Sequence, residues 1–349
     1  MFQDKYVFVQ LTAFLNRTQF NNYVRKYDGN RYVKHFTCWN QLLAMMFGQL
    51  SYRESLRDLI VALEAHRATQ YHLGLGRNTI VKATLAYANQ TRDYRIFENF
   101  AFYMMKEACK KREISILNIP GKKYAFDSTT IPLCLATFPW AKFRSKKGGV
   151  KAHVLYDVEA QVPAFYTVTT ASKHDSTAMS SITYEPNRYY IFDRAYDTFK
   201  ELYKIHLTDS YYVVRSKTNL KYKMVKWKRR MPMNVLTDAE VKLTGYLSEK
   251  KYPESFRFIR YYDEEDDCEF TFLTNAKHLS ALDVANLYKK RWLVELFFKW
   301  LKQHLKIKRF WGTTKNAVRI QISVAIITYC LVAIVHHDMQ LKRSTYEVL

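Results

Sequence analysis

Three carboxylates stand where chemistry is possible. Asp127 follows Tyr124-Ala125-Phe126 and precedes Ser128-Thr129-Thr130. Asp193 follows Tyr189-Tyr190-Ile191-Phe192 and precedes Arg194. Glu295 lies in a basic and aromatic run from Tyr288 to Lys302. An ionised carboxylate directly after an apolar run is expensive unless it is paired or bound to a cation. Several carboxylates brought to one point suit hard divalent cations such as Mg2+, which prefer oxygen ligands. Two such ions ~3.5–4 Å apart can activate an attacking oxygen and stabilise a leaving one at phosphorus. Each acid also has a plainer role open to it. Asp127 could cap the next turn through its Ser/Thr neighbours, and Asp193 could pair with Arg194. Asp197 competes with Asp193 but lies past the end of the apolar run.

The Glu295 segment carries the most information. At ~100° per residue, Tyr288, Arg291, Glu295 and Lys302 fall on one arc of a helix, roughly 60° wide. Leu293, Phe297 and Leu301 fall on the opposite side. One face is a polar stripe and the other is core. A solvated stripe has the same spacing. An acid ringed by Arg291, Lys299 and Lys302 also fits a metal ligand beside bound phosphate.

The surrounding composition favours a polyanionic partner. The chain has 349 residues, 55 Lys+Arg against 32 Asp+Glu, and a formal net charge of +23. That excess points to nucleic acid. Hydrophobic residues at 48% and only 9 Gly and 7 Pro exclude general disorder and low-complexity sequence. Five scattered cysteines without a C-x-x-C pair exclude a disulfide framework and a cysteine zinc site, and suit a reducing cytoplasm. The N-terminus lacks the layout of a signal peptide. The apolar run 322–335 is too short for a spanning helix of ~20 residues and reads as a buried core helix, so no membrane partner is expected.

The elements that must position these acids divide the chain in four. Residues 1–115 read as a helical N-terminal domain. Ser51 and Glu54 match a capping box, and a second helix is expected from Thr79 or Ile80 to Asn89. With Arg77, Lys82 and Arg92 this unit is compatible with DNA binding, or with a plain bundle. Residues 116–216 read as the first part of an α/β core. Its strands end at Phe126, span 150–158 and 162–170 as a hairpin, and span 188–192 and 211–215. Residues 217–272 read as a β-rich insertion with strands near 241–247, 255–262 and 268–274. Residues 273–345 complete the core, with one long helix from Ser280 to about Ile307.

Taken together, Tyr288, Arg291, Glu295 and Lys302 match Y-x2-R-x3-E-x6-K. The chain thereby resembles bacterial DDE insertion-sequence transposases of the IS-four group. Phe126-Asp127-Ser128-Thr129 and Phe192-Asp193-Arg194-Ala195-Tyr196 resemble that family's two Asp motifs, in order. The resemblance covers about residues 120–340. It implies an RNase H-like catalytic core interrupted by the β insertion, with Asp127, Asp193 and Glu295 as a catalytic triad holding two Mg2+, for which Mn2+ can substitute. It implies metal-dependent cleavage at transposon ends and strand transfer into target DNA. It assigns Tyr288, Arg291 and Lys302 to DNA near the cut. The implied partners are terminal inverted repeats and target duplex, bound by a homodimer on paired ends, in the bacterial cytoplasm at the nucleoid. Because such enzymes tend to pass through a DNA hairpin with a flipped base, Trp227 in Lys226-Trp227-Lys228-Arg229-Arg230 is a stacking candidate.

The remaining charge has a pattern. Residues 217–260 carry twelve Lys/Arg against four Asp/Glu, interleaved with aromatics. Lys142, Arg144, Lys146, Lys147 and Lys151 form a second cluster, and Lys299 joins the helix stripe. All three groups are expected to line one DNA channel. His174-Asp175 could lie near the site, His153 and Asp157 could pair, and the acidic run 263–267 reads as an exposed hairpin tip. Two other functions stay open: a DNA-binding relative without catalysis, and an RNase H-like nuclease acting on other nucleic acid. Metal-dependent end cleavage separates the first, and preference for inverted-repeat ends the second.

Overall fold

The computed structural model describes residues 7–112, 117–145, 147–196, 198–216, 220–304 and 309–341. Six helices come first: α1 (Val7–Thr12), α2 (Arg17–Lys26), α3 (Cys38–Leu50), α4 (Leu56–Ala65), α5 (Lys82–Thr91) and α6 (Arg95–Lys111). The capping box expected at Ser51 and Glu54 is not there. Ser51 instead ends α3, and its hydroxyl donates to the Phe47 carbonyl. Tyr52 turns left-handed, and Arg53 N–H returns to the Gly48 carbonyl at 2.8 Å, the closing bond of a Schellman turn. The cap of α4 is Ser55, whose hydroxyl accepts from Asp58 N–H at 3.1 Å.

The strands follow: β1 (Lys123–Leu133), β2 (Lys142–Arg144), β3 (Lys147–Asp157), β4 (Val162–Thr170), then α7 (Asp175–Ala178), β5 (Tyr189–Phe192), α8 (Phe199–Leu207) and β6 (Tyr211–Arg215). Next come β7 (Tyr222–Trp227), β8 (Val235–Leu243), α9 (Tyr246–Lys251), β9 (Phe256–Asp263) and β10 (Cys268–Thr274). The described chain closes with α10 (Ala281–Lys289), α11 (Trp292–His304) and α12 (Lys315–Asp338). The strand expected at 241–247 runs instead over 235–243, and the segment after Gly245 is helical.

All ten strands join one sheet, in the order β2-β3-β1-β5-β6-β10-β9-β8-β7, with β4 also on β3. Within it, β4-β3-β1-β5-β6 has β3 antiparallel to both neighbours and β1, β5 and β6 parallel. That is the strand arrangement of an RNase H-like α/β core. The strands after residue 220 extend this sheet from β6 through β10 by antiparallel pairing.

Alternation along β1 sends its side chains to two cores. Ala125 and Ile131 pack in the cluster that includes α6, α10, α11 and α12. Phe126 joins Tyr190, Phe192 and Leu202 of α8 on the other face. The apolar run 322–335 lies inside α12. This helix is long and apolar enough to cross a membrane, but 94% of its most apolar window is buried inside the protein. Gln49 of α3 accepts from the Thr328 hydroxyl at 3.1 Å, and the Tyr156 and Tyr329 hydroxyls meet at 3.1 Å.

Candidate active site

The site forms where β1 outruns β5. The last parallel pair is Phe126 with Phe192. Asp127 is the next residue on β1, and Asp193 is the first residue after β5. Neighbouring strands lie ~4.8 Å apart, and residues in parallel register send side chains to the same face. The ladder therefore brings these two acids side by side. Asp127 was expected at a strand end. It lies mid-strand instead, because Ser128 to Leu133 stay paired with β3.

The expected single helix from Ser280 is two helices. The chain breaks at Lys290–Arg291, where Arg291 N–H bonds to the Tyr288 carbonyl at 2.9 Å and Val294 N–H to the Arg291 carbonyl at 3.1 Å. These i→i+3 bonds tighten the backbone and re-aim the residues on either side. Arg291 occupies the break. Its Nη1 donates to Asp127 Oδ2 at 3.0 Å and its Nη2 to Glu295 Oε1 at 2.5 Å. Glu295 sits in the first turn of α11, where the helix dipole favours an acid. Tyr288, in the last turn of α10, donates its hydroxyl to Asp193 Oδ1 at 3.2 Å, while its ring packs 4.8 Å from that of Phe272. The structure thus gathers Asp127, Asp193, Glu295, Tyr288 and Arg291 into one cluster.

The electrostatics are those of crowded acids. Burial pushes the Asp127 carboxyl up to about 6. The Ser128 N–H and Arg291 pull it down, and Glu295 and Asp193 push it further up. Burial opposes the charge of Arg291, but Tyr288, Asp127 and Glu295 outweigh it and hold its pKa above the ordinary value. Burial raises the Tyr288 hydroxyl to about 12, so it is a donor at neutral pH. One guanidinium therefore serves two acids, Asp127 and Glu295, while the Tyr288 hydroxyl serves the third.

By donor type this set fits a hard divalent cation: three carboxylates, one of them with its charged form disfavoured by burial and by the other two. By spacing it is not drawn together. Among the described residues no three His, Cys, Asp or Glu side chains are close enough to hold a metal ion jointly. Arg291 stands between Asp127 and Glu295.

The other predicted residues lie around this cluster or away from it. Lys299 is exposed and Lys302 half-buried on α11, one and two turns beyond Glu295. On β3, Lys147 is exposed, while Lys151 Nζ is bound to Asp175 Oδ1 at 3.0 Å. Lys146 and Asp197 lie outside the described residues. Trp227 is 62% exposed on β7, the far edge of the sheet, six strands from β1. Lys226, Arg229 and Arg230 are exposed beside it, and Lys228 pairs with Asp238 at 2.9 Å. The β3 and β7 cations thus lie on opposite sides of the carboxylates in strand order.

Two local expectations change. His153 and Asp157 do not pair. Asp157 accepts the Glu159 and Ala160 N–H groups at the β3–β4 turn, and His153 bonds Thr169 Oγ1 at 3.0 Å. The acidic run 263–267 is not wholly exposed. Asp263 is buried and pairs with Lys289 at 2.9 Å, tying the β9–β10 turn to α10. Asp175, expected with His174 near the site, accepts from Ser128 Oγ at 2.7 Å beside Asp127; sequence reasoning missed Trp292, 57% exposed directly after Arg291. The signal for Trp292 was its place inside the signature run.

A family model described as a transposase DDE domain matches residues 120–331. A second, described as a domain of unknown function, matches residues 3–76. A protein named as a transposase in Sinorhizobium fredii is 35% identical over 229 residues, covering 64% of this chain and 62% of its own length. A protein named as a transposase of the insertion sequence element IS5377 in Geobacillus stearothermophilus is 30% identical over 224 residues, covering 64% and 59%. The chain spans about three fifths of the length of these two relatives. A piggyBac transposase synaptic complex with hairpin DNA aligns at a TM-score of 0.49 and 11% identity, over 97% of this chain and 77% of the other.

Proposed function

The chain belongs to the transposase DDE-domain family, and from that premise we propose that it cuts DNA at the ends of an insertion sequence and joins the freed end to target DNA. The finer assignment, to the IS-four group, rests on the spacing of Tyr288, Arg291, Glu295 and Lys302. The observation that carries the reading is the meeting of three separate segments. Asp127 and Asp193 are set by adjacent parallel strands, and Glu295 is held to Asp127 through Arg291.

The family is generally dependent on divalent metal. In this reading Asp127, Asp193 and Glu295 are the metal-holding triad, for two Mg2+ or Mn2+ ions. Bound there, the metal would supply charge for the attacking and leaving oxygens at phosphorus. The protein's own groups do the rest. Tyr288 fixes the rotamer of Asp193 through its hydroxyl. Arg291 screens Asp127 from Glu295, and its guanidinium suits a DNA phosphate once the acids have another counter-charge. Lys299 and Lys302 supply further phosphate contacts along α11. Trp292, exposed beside Arg291, supports base stacking near the cut better than Trp227 does on the far sheet edge. Lys147 and Lys151 on one side, and Lys226, Lys228, Arg229 and Arg230 on the other, would hold the flanking duplex. Terminal inverted repeats and target DNA are the substrates in this reading. A homodimer on paired ends is the working assembly.

The test is cleavage of duplex carrying the DNA that flanks the reading frame. With Mg2+ the wild type should cut at the element end. Asp127→Asn, Asp193→Asn and Glu295→Gln should each lower the rate by about 10³-fold or more, as expected when charge stabilisation at the reacting phosphorus is removed. If Asp127→Asn cuts as fast as wild type, the triad is wrong. If wild type binds these ends but never cuts, the chain is a binding relative.

A further inference from the structure

A groove of about 870 Å³ opens in the N-terminal helical region, between the 27–36 turn and the 75–93 segment. Much of it falls within the stretch matched only by the domain of unknown function. Its chemistry is not that of a plain bundle surface. Tyr32 is 89% exposed and Tyr87 is 68% exposed, with Tyr27 and Phe36 also lining the groove. Arg31 lies over one face of the Tyr32 ring, 5.0 Å from its centroid, and donates to its hydroxyl at 3.1 Å. The exposure of Tyr32 leaves its other face open to solvent.

Charge in the groove is unevenly used. Arg92, one of the cations that made this unit compatible in sequence with DNA binding or with a plain bundle, is consumed in the wall. It donates to Gln41 Oε1 and the Phe36 carbonyl, and lies over the Phe36 ring. Asp93 is neutralised by Arg95 at 2.5 Å. Arg31 and Lys34 have no acid partner among the described residues, and Asp28 is the one lining acid without a cation. The free balance is cationic.

The backbone adds an independent argument. Tyr32 has φ +57°, the left-handed region that disfavours a bulky side chain. A residue so exposed recovers little of that strain by packing. Strain held at an exposed aromatic is intelligible where the side chain meets a ligand.

We propose that this groove takes a single DNA strand with one base splayed from the stack, the base lying on the open face of Tyr32 and adjacent phosphates on Arg31 and Lys34. Aromatic faces interleaved with unpaired cations are the recognition chemistry of unstacked strands. The inference rests on the DNA-acting reading above and gives the N-terminal region its own role in it.

The test uses the full chain in chelator, so that nothing is cut. Fluorescence anisotropy measures affinity for a labelled oligothymidylate of about 20 nucleotides, and for a hairpin duplex of similar length. Tyr32→Ala should weaken single-strand binding by ~5- to 100-fold, the range of one base–aromatic stack, and Tyr32→Phe should restore it. Arg31→Ala with Lys34→Ala should lower the salt slope by about 1.4, two single-strand phosphate contacts. Tyr32→Gly is the decisive variant. Glycine relieves the left-handed strain, so thermal melting should hold or rise while affinity falls. Tyr32→Gly within about twofold of wild type, or an equal loss on duplex, overturns the proposal. If those variants bind as wild type while end cleavage is intact, this inference alone fails. If wild type binds neither DNA, the transposition reading falls with it.

Discussion

The Asp127 carboxyl offers a test of the site that needs no substrate. It is 18% exposed, and its pKa is raised from 3.8 to about 6, first by burial and then by Glu295 and Asp193. A shift of roughly two units is about 3 kcal/mol between protonation states. The sign follows from which form the fold disfavours. A raised acid contributes stability below its unfolded pKa, near 4, and loses it as pH rises through 6. Above pH 7 the wild type should therefore carry an ionised Asp127 that opposes folding. Asp127→Asn removes the titration and keeps the shape. The charge-assisted bond to Arg291 forms only with ionised Asp127 and is already counted in that pKa, so what remains on exchange for Asn is an offset independent of pH. The prediction concerns the difference between the two proteins. The stability of Asp127→Asn relative to wild type should rise by about 2 kcal/mol between pH 4.5 and 8 in chelator, the share of the 3 kcal/mol that falls in that interval. Urea unfolding followed by tryptophan fluorescence reads this directly. At pH 8, Mg2+ at tenfold its dissociation constant should then stabilise wild type by about 1.4 kcal/mol and the variant by clearly less. Parallel stability curves, differing by under about 0.5 kcal/mol across the range, would refute the crowding of acids described here.

Two further predictions concern neighbours of the site. Tyr288→Phe removes the hydroxyl from Asp193 and leaves the ring on Phe272. Stability should change by no more than about 1 kcal/mol, the worth of one hydrogen bond, while end cleavage falls about tenfold or more; unchanged cleavage would mean that Asp193 needs no anchor. His153 is fully buried and burial lowers it from 6.5 to about 4, so its stability contribution is present above pH 6.5 and lost as pH falls toward 4. That is about 3 kcal/mol of acid sensitivity, and His153→Gln should move the acid-unfolding midpoint down; an unmoved midpoint would place the sensitivity elsewhere.

The strands of the core were legible because they are short, apolar and bounded by turn residues: 150–158, 162–170 and 211–215 lie close to where their composition put them. What failed depended on partners distant in sequence. An apolar reading stops β1 at Phe126, but pairing with β3 holds Ser128 to Leu133 extended. The break at Lys290–Arg291 has no Gly or Pro to mark it, so helical periodicity runs straight through. The box at Ser51 and Glu54 was the better match in letters, yet the left-handed turn at Tyr52 gave the cap to Ser55. The site residues were legible as types at a spacing. That Arg291 and Tyr288 would grip the acids was not, since it depends on the helix break and on the β1–β5 register.

The register also explains why the acids occur where they do. Among the described residues, only β1, β5 and β6 are parallel in a sheet of ten strands. Strand ends in a parallel set open a crevice at their carboxyl edge, whereas antiparallel hairpins close theirs with turns. Asp127 and Asp193 stand at that edge, on the face that α10 and α11 cover, and the helix break delivers Glu295 to the same place. The antiparallel strands beyond β6 are not idle width. The turn between β9 and β10 puts Asp263 on Lys289, the residue next to Tyr288, so the sheet extension helps set the height of α10 over Asp193. A change in that turn, distant in sequence from all three acids, should therefore act on the site through α10. Asp263→Asn weakens the Lys289 pair without touching the acids. It should lower cleavage through Tyr288, and a Tyr288→Phe background should abolish that effect; additive losses in the double variant would show that the turn acts by another route.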